Sequence, residues 1–388
     1  MVKQVSLADA CILIMGQSPS SDSYNKEHKG LPFFQGNADF GKVSPIAKTW
    51  CTNPKKVAEK GDILLSVRAP IGAVNLASEQ CCIGRGLAAV RPKSDGIRRN
   101  YLKHLLLACR PKLEHLGTGS TFKAIGKKSL SEFSVPLYRI EEQKQIEQRF
   151  ELIFECVSIQ NEVLVRLDEL VKSRFIEMFG DPANNPKEYK VSPLGDCLSI
   201  QPSNGMYKPL KEYVVNGSGT PIVRIDSFEK RWPGTACLKR LNCTDSDLKR
   251  YGLRRGDIVI NRVNSIGHMG KSMMVGELNE DVVFESNMMR LHANEALMIP
   301  AFMAAQLDTR YSKGYFESNA KRAIGQASIN QTDVKRLSVL VPPIELQEEY
   351  VAFVAQVDKL EFAARQQIEK LQTLYDSLAQ SYFGGQED

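Results

Sequence analysis

The sequence predicts an α+β protein with an internal pseudo-two-fold repeat: two mixed α/β domains and two long helices that pack on one another. Three observations carry that prediction. Residues 141–179, EEQKQIEQRFELIFECVSIQNEVLVRLDELVKSRFIEMF, hold a helical apolar step with no proline or glycine. The same stretch returns 204 positions later without a gap, Glu141 onto Glu345, Gln143 onto Gln347, Leu167 onto Leu371 and Phe179-Gly180 onto Phe383-Gly384. The segments ahead of the two stretches also repeat, at offsets that climb from 187 to 199.

The helices are read first because they organise the rest. Ile146, Phe150, Ile153, Val157, Leu164, Leu167 and Val171 follow a 4-3-4-3 spacing with only Gln160 out of pattern. That is the seam of a helix built to lie along another helix. The second copy offers Tyr350, Val354, Val357, Ala364, Ile368, Leu371 and Tyr375, with Glu361 where the first has Val157. Two helices with matching seams most simply pair with each other. A bland reading, in which each covers its own domain and the repeat is ancestry, does not explain why the seam persists along both copies. The expected division is 1–140, a first domain; 141–180, a central helix; 181–344, a second domain; and 345–388, a C-terminal helix.

Composition narrows the class. The chain has 388 residues, 43% of them hydrophobic, enough for two or three folded domains. Nine cysteines form no CxxC pair and five histidines no HxxxH or CxxH cluster, so neither a disulfide framework nor a zinc site is indicated. The Ile12–Met15 run is too short for a signal peptide and nothing approaches a membrane span, so a soluble protein of the reduced cytoplasm is expected. The net charge is +6 and unevenly spread: each long helix carries −4, residues 1–140 carry +11 and residues 180–344 carry +5. Basic globular segments beside acidic helices fit a nucleic-acid binder with a non-binding spacer. Ordinary solvated lysines are the competing explanation, strongest for the second segment.

In chain order, residues 1–140 alternate short strand-like runs with turns, GDILLSVRAPIG reading as a buried strand and YLKHLLLACR as a short helix. GTGSTFKAIGKKS is a polar, basic loop, and GDPANNPKEYK after the first long helix is a stop and linker. The second domain restates the first. Leu7 and Asp9 match Leu194 and Asp196, Gly30 and Pro32 match Gly219 and Pro221, and Gly61-Asp62-Ile63 match Gly256-Asp257-Ile258. Ile71-Gly72 align with Ile266-Gly267, and Ile125-Gly126 with Ile324-Gly325. The loops differ: FFQGNADFGK against IVRIDSFEKRWPG, SVRAPIGAV against NRVNSIGHMGKS. One frame with two sets of polar loops suits the reading of two different sequences.

Enzyme-like strings fail on inspection. SIGHMGKS lacks the first glycine of a phosphate loop, having Ser265, and GTGSTF has Phe122 where the last glycine belongs. Asp181, Glu188 and Lys190 sit too close together in a linker to make a nuclease metal site. The Asn/Asp-Pro-Pro-aromatic loop of an adenine methyltransferase is missing, the only Pro-Pro being Pro342-Pro343.

GQSPSS with GLPFFQGNADFG, the RAPIG and NSIGH turns, GSTFKAIG and AIGQASIN, VP…EEQ and VPP…LQEE, and LVKSRFIEMFGDP together span nearly the whole chain. In this order they resemble the DNA-specificity subunit of a Type I restriction-modification system. Leu346-Gln347 departs from the family's usual Glu-Gln pair. The resemblance implies target-recognition domains separated by an antiparallel coiled coil, each reading one half of a bipartite DNA target, in a non-catalytic chain. It implies two methyltransferase subunits that use S-adenosylmethionine on adenine N6 and two ATP-driven, Mg-dependent restriction subunits as partners, with no cofactor or metal on this chain. A stand-alone DNA-bridging or regulatory protein is the alternative from another class, separated by co-purification with a methyltransferase chain. A self-sufficient methyltransferase is opposed by the missing motifs, and would require S-adenosylmethionine binding by this chain.

Loop position and side-chain chemistry select the candidate DNA-binding residues. In the first domain they are Ser20, Tyr24, Gln35, Asn37, Lys42, Arg68, Thr121, Lys123 and Lys127. In the second they are Tyr207, Lys208, Arg224, Lys230, Arg231, Arg262, Asn264, His268, Lys271, Arg322, Gln326 and Asn330. Arginine, asparagine and glutamine can pair with base edges, whereas lysines more often hold phosphate. Capping a turn is the competing role, most evenly balanced for Asn37 and Asn264.

Overall fold

A computed structural model describes residues 2–119, 123–214, 217–227, 232–323 and 325–384. The chain divides into two compact units, Met1–Glu162 with Ala364–Asp388, and Val163–Ala363. The long helices run over Ile140–Phe179 and Ile344–Phe383. Each is cut near its middle by the division, so each unit contains half of both helices. Among the described residues no helix is long and apolar enough to cross a membrane.

The first unit is built on an antiparallel sheet in the order Cys11–Met15, Leu87–Pro92, Ile63–Ser66, Val74–Leu76. Successive side chains of a strand point to opposite faces, and here both faces are buried. Ile63, Leu65, Ala88 and Val90 meet Tyr101, Leu102 and Leu105 of the helix Arg99–Ala108, together with Ile146, Phe150 and Phe383 of the long helices. Leu64, Leu87 and Ala89 turn the other way, onto Phe34, Ala58, Cys81 and Ile83. A five-stranded sheet lies on that side, with Leu31–Phe34 at its centre.

The second unit repeats this arrangement. Its four-stranded sheet runs Leu198–Asn204, Met288–Ala293, Ile258–Asn261, Ser272–Met274. Ile258, Ile260, Met289 and Leu291 enter one core with Phe302, Phe175, Phe179 and Tyr350. Val259, Met273 and Met288 enter the other.

Within each unit the two helical stretches are antiparallel. In the first, Phe150 meets Tyr375 at 5.2 Å and Phe383 at 5.7 Å, while Gln160 Nε2 donates to Gln367 Oε1 at 2.8 Å. Rising numbers on one helix therefore face falling numbers on the other. In the second, the Arg174 guanidinium lies 5.6 Å from the Phe353 ring while Phe179, further along, lies 5.7 Å from Tyr350. Half of the expected seam is fully buried: Ile146, Phe150, Ile153, Leu167, Tyr350, Val357 and Ala364 are withdrawn from solvent with Glu361, while Val157, Leu164, Val171, Val354, Ile368, Leu371 and Tyr375 are half-buried. Gly180, at φ +76°, ends the first helix, its N–H returning to Ile176 O at 2.8 Å.

One device fixes both helices to their units. Gln143, fully buried, donates to the carbonyls of Gly96 and Tyr138 and accepts from Arg98 N, at 2.8–2.9 Å. Gln347, also fully buried, donates to the carbonyls of Leu297 and Pro342 and accepts from Ile299 N, at 2.9–3.0 Å. The two triads superpose in sequence. The Leu346 substitution noted above leaves this latch intact, because the glutamine makes all three bonds. A second repeated feature is a buried aspartate after each Gly-Asp turn. Asp62 takes two bonds from Arg91, at 2.7 and 2.8 Å, whereas Asp257 takes one from His292 Nδ1 at 2.8 Å.

Two of the expected repeat matches are corrected by hydrogen bonding. Gly72 N returns to Ser66 O and Gly270 N to Asn261 O, and both glycines have positive φ. Gly72 therefore corresponds to Gly270, not to Gly267, and Asn264–His268 belong to an enlarged loop. Likewise Ile125 N donates to Val67 O and Ile329 N to Arg262 O. Ile125-Gly126 correspond to Ile329-Asn330 rather than to Ile324-Gly325, and Ile324 itself lies outside the described residues. A string match follows residue identity, while the true equivalence follows which strand each residue bonds to.

Removing the latch should cost each unit separately. Gln143→Ala strands two carbonyls and an amide in the first unit, and Gln347→Ala does so in the second, each a loss of about 2–4 kcal/mol. Trp50 and Trp232, one per unit, allow denaturant unfolding of each to be followed by fluorescence in single-tryptophan variants. The Gln143 change should move only the Trp50 transition.

His104 gives a pH test. It is 1% exposed, stacked on Phe150 and Phe154 at 5.3 and 5.5 Å, and its ring nitrogens have no hydrogen-bond partner. Burial, with a smaller contribution from Lys103, pushes its pKa down to about 3. A depressed histidine stays neutral in the fold while the unfolded chain takes up a proton. First-unit stability should therefore fall as pH drops from about 6.5 toward 3, by up to about 1.4 kcal/mol per pH unit. His104→Leu should flatten that dependence in acid-titrated denaturation curves.

Candidate nucleic-acid interface

In the first unit the strand Leu31–Phe34 ends at Gln35, whose N–H donates to Asp39 Oδ2 at 2.8 Å and starts a single turn over Asn37–Asp39. The strand Ile63–Ser66 ends two residues before Arg68. Ser66 Oγ donates to the carbonyls of both Arg68 and Pro70 at 2.9 Å, fixing the turn from inside. These ends converge with the Gly84-Arg85-Gly86 turn on a cleft of about 350 Å³ lined by Gln35, Asn37, Asp39, Ser66, Arg68 and Arg85. Gln35, Arg68 and Arg85 are exposed. Lys123 is exposed at the same edge, its carbonyl accepting from Ala69 N, and Lys127 is exposed where the helix Lys127–Glu132 begins.

Ser20, Tyr24 and Lys42, like Lys123 and Lys127, are not among the residues that line the cleft. Lys42 is exposed on a separate turn. Tyr24 donates its hydroxyl to Pro19 O at 2.9 Å and stacks on Phe33 at 4.8 Å, so it is part of the frame. Ser20 is exposed, but its hydroxyl bonds to Asp22 and holds that carboxyl below the usual range, while its carbonyl accepts from Ser23. Thr121 lies outside the described residues.

The second unit places its candidates differently. A hairpin of Lys321–Ala323 and Gln326–Ser328 adds to Val263–Asn264, with Asn264 and Arg322 both in register with Ala327. Arg322 and Gln326 are exposed, as is His268, whose Nδ1 lies 3.0 Å from Ser265 Oγ. Asn264 is half-buried and accepts from Ser265 N at 2.7 Å, which leaves its amide nitrogen and a second lone pair for a ligand. Tyr207 is 80% exposed.

Several second-unit candidates have structural work. Lys208 is paired with Asp247 at 3.1 Å. Arg224 lies 3.4 Å from Glu285 and 3.5 Å from Asp226, with its guanidinium 5.0 Å from the Tyr213 ring. Arg262 donates to Ser286 O at 3.1 Å. Asn330 caps the helix Gln331–Arg336, accepting from Thr332 N and Asp333 N at 2.8 and 3.0 Å. Lys271 is half-buried and engaged. Lys230 and Arg231 lie outside the described residues. Arg85, on the first-unit cleft, and Lys321, on the second-unit hairpin, are exposed cations that were not among the candidates. A cation between two glycines, in a turn with no side chains to shield it, was the available signal for Arg85.

The two units repeat one frame, and each ends in a polar loop surface unlike the other's. The chain belongs to the family described as Type I restriction modification DNA specificity domain, whose model matches residues 2–169 and 186–372. A Methanocaldococcus jannaschii protein, named as the MjaX type I restriction enzyme specificity subunit, is 42% identical over 41% of this chain and 38% of its own length. This chain thus aligns with well under half of that relative. The S subunit of a Type I restriction-modification system from M. genitalium shares the fold across 99% of this chain and 96% of its own, with TM-score 0.52 and 15% identity. A solved chain of a type I R-M system covers 98% and 97%, with TM-score 0.62 and 17% identity.

Proposed function

We propose that this chain is the specificity subunit of a Type I restriction-modification complex, reading a bipartite duplex target with one half-site per unit and the long helices as spacer. The observation that carries the reading is the repeated frame with unlike polar surfaces, Gln35, Arg68 and Lys123 on one unit and His268, Arg322 and Gln326 on the other. Family membership supports the same role. The chain itself is non-catalytic and cytoplasmic. It recruits two methyltransferase subunits, which hold S-adenosylmethionine and modify adenine N6, and two restriction subunits, which hold ATP and Mg. Exposed candidates on both units contact DNA; Tyr24, Lys208, Arg224 and Asn330 support the loops that do so.

The spacer sets the gap. A 40-residue helix rises roughly 60 Å. Half-site centres one duplex turn apart are separated by roughly 34 Å. With three to five bases read on each side, the unread gap is about five to eight base pairs. Inserting one heptad, roughly 10 Å of rise, between Gln160 and Leu164 and again between Ala364 and Ile368 should lengthen the gap while preserving both half-sites. Methylation mapping of host DNA reads this directly, and an unchanged gap would rule out the helices as the spacer.

Lysines on the first unit should act without regard to sequence. Changing Lys42, Lys123 or Lys127 to alanine should weaken binding evenly and lower the salt slope by roughly 0.9 per lost phosphate contact. Titration at several salt concentrations checks both. A changed target preference at constant slope would instead make these lysines base readers.

A further inference from the structure

The first-unit cleft contains a pair of charges that its own fold does not use. The last pair of the sheet here is Leu87 with Ser66, and two residues beyond it Arg85, in the Gly84–Leu87 turn, and Arg68, bridged to Ala124, line the same cleft. Like charges that share a cleft repel unless an opposite charge or dipole lies between them. Both guanidiniums are exposed, and no carboxylate among the described residues lies within ion-pair distance of either. The cleft's one acid, Asp39, directs an oxygen to the backbone amides of Gln35 and Gly36. The free donors of two guanidiniums suit an electron-rich ligand.

The positions of both arginines are fixed by their backbones. Gly84 N donates to Phe34 O, Gly86 N to Gln35 O and Leu87 N to Gly84 O, at 2.8–3.1 Å, around Arg85. A side chain at Gly86 would meet Gln35 O at 2.4 Å, so the turn closes only with glycine there. Arg68 is held by Ser66 Oγ and by its bridge to Ala124. Two rigidly based guanidiniums, donors only, at the end of a sheet match the adjacent O6 and N7 acceptors that guanine alone presents together in the major groove.

The second unit differs at just this place. The last pair there is Asn261 with Met288, so two residues beyond it Val263 takes the place of Arg68 and Ser286 the place of Arg85. Neither carries charge. We propose that Arg68 and Arg85 read guanine in the first unit's half-site, with Arg85 a specificity-determining residue, and that the second unit has no guanine reader at the corresponding pair. This rests on the DNA-reading function proposed above.

The test is selection from a randomised duplex library by the full chain, purified from its host with the partners it carries. Wild type is compared with Arg68→Val, Arg85→Ser and Arg85→Lys. Arg85→Ser should reduce guanine preference at one position of the half-site that Arg68→Val also alters, by roughly 5- to 150-fold. The other half-site should stay intact, which also reports a surviving fold. Arg85→Lys should keep affinity and lose the preference, since an ammonium cannot bond both acceptors in one plane; if Arg85→Ser loses both half-sites by misfolding, this variant decides. An unchanged motif in Arg85→Lys, even weakening across all sequences with a smaller salt slope, or a first half-site without guanine would overturn the inference alone. A wild-type chain that enriches no motif would overturn the functional reading, and this inference with it.

Discussion

Each long helix begins and ends in a folded core, and its first turns are held there by one glutamine per unit. Gln143 and Gln347 each tie three backbone groups, from the segment before a short helix and from the strand that leads into the long one. Buried amides are costly unless every donor and acceptor is matched. The full match makes the helix direction a property of the domain rather than of the loop between them. Arg98, bonded to Glu147 at 2.7 Å one turn further along, reinforces the first latch.

The other end of each helix is fixed by packing. Phe383 sits in the first unit's core beside Tyr101 and Phe150, and Phe179 in the second unit's core beside Phe302 and Tyr350. Because these phenylalanines are related by the same 204-residue offset, each unit closes its core with the start of one helix and the end of the other. Aromatic burial at both ends supplies stability that the half-exposed middle of the seam does not. The frame can then tolerate divergence at the loop ends. The aspartate that keeps an arginine in one unit and a histidine in the other marks how far even buried pairs have drifted.

The sequence made the repeat, the helices, the seam and the family resemblance legible, since each depends on local periodicity or on residues at fixed spacing. Gln143 and Gln347 were visible as a matched pair, but not as latches. For the candidate site, exposure at loop ends was legible and side-chain engagement was not. Gln35, Arg68, Lys123, Arg322 and Gln326 are exposed at strand and loop ends, as their polar loops imply. Asn330, Tyr24, Lys208 and Arg224 sit in equally polar loops yet are occupied by a helix cap, an aromatic stack and ion pairs.

What the sequence by itself determined is the duplicated α+β plan and the two-helix seam, because apolar period and uninterrupted helix length are written along the chain. Tertiary structure alone decided which polar side chains remain available, because a side chain's partner comes from segments far away in sequence: Asp247 for Lys208, Glu285 for Arg224. It also decided that Arg68 and Arg85 line one cleft and that Gly72 corresponds to Gly270. Both depend on where segments far apart in sequence meet and bond, which residue identity alone does not show.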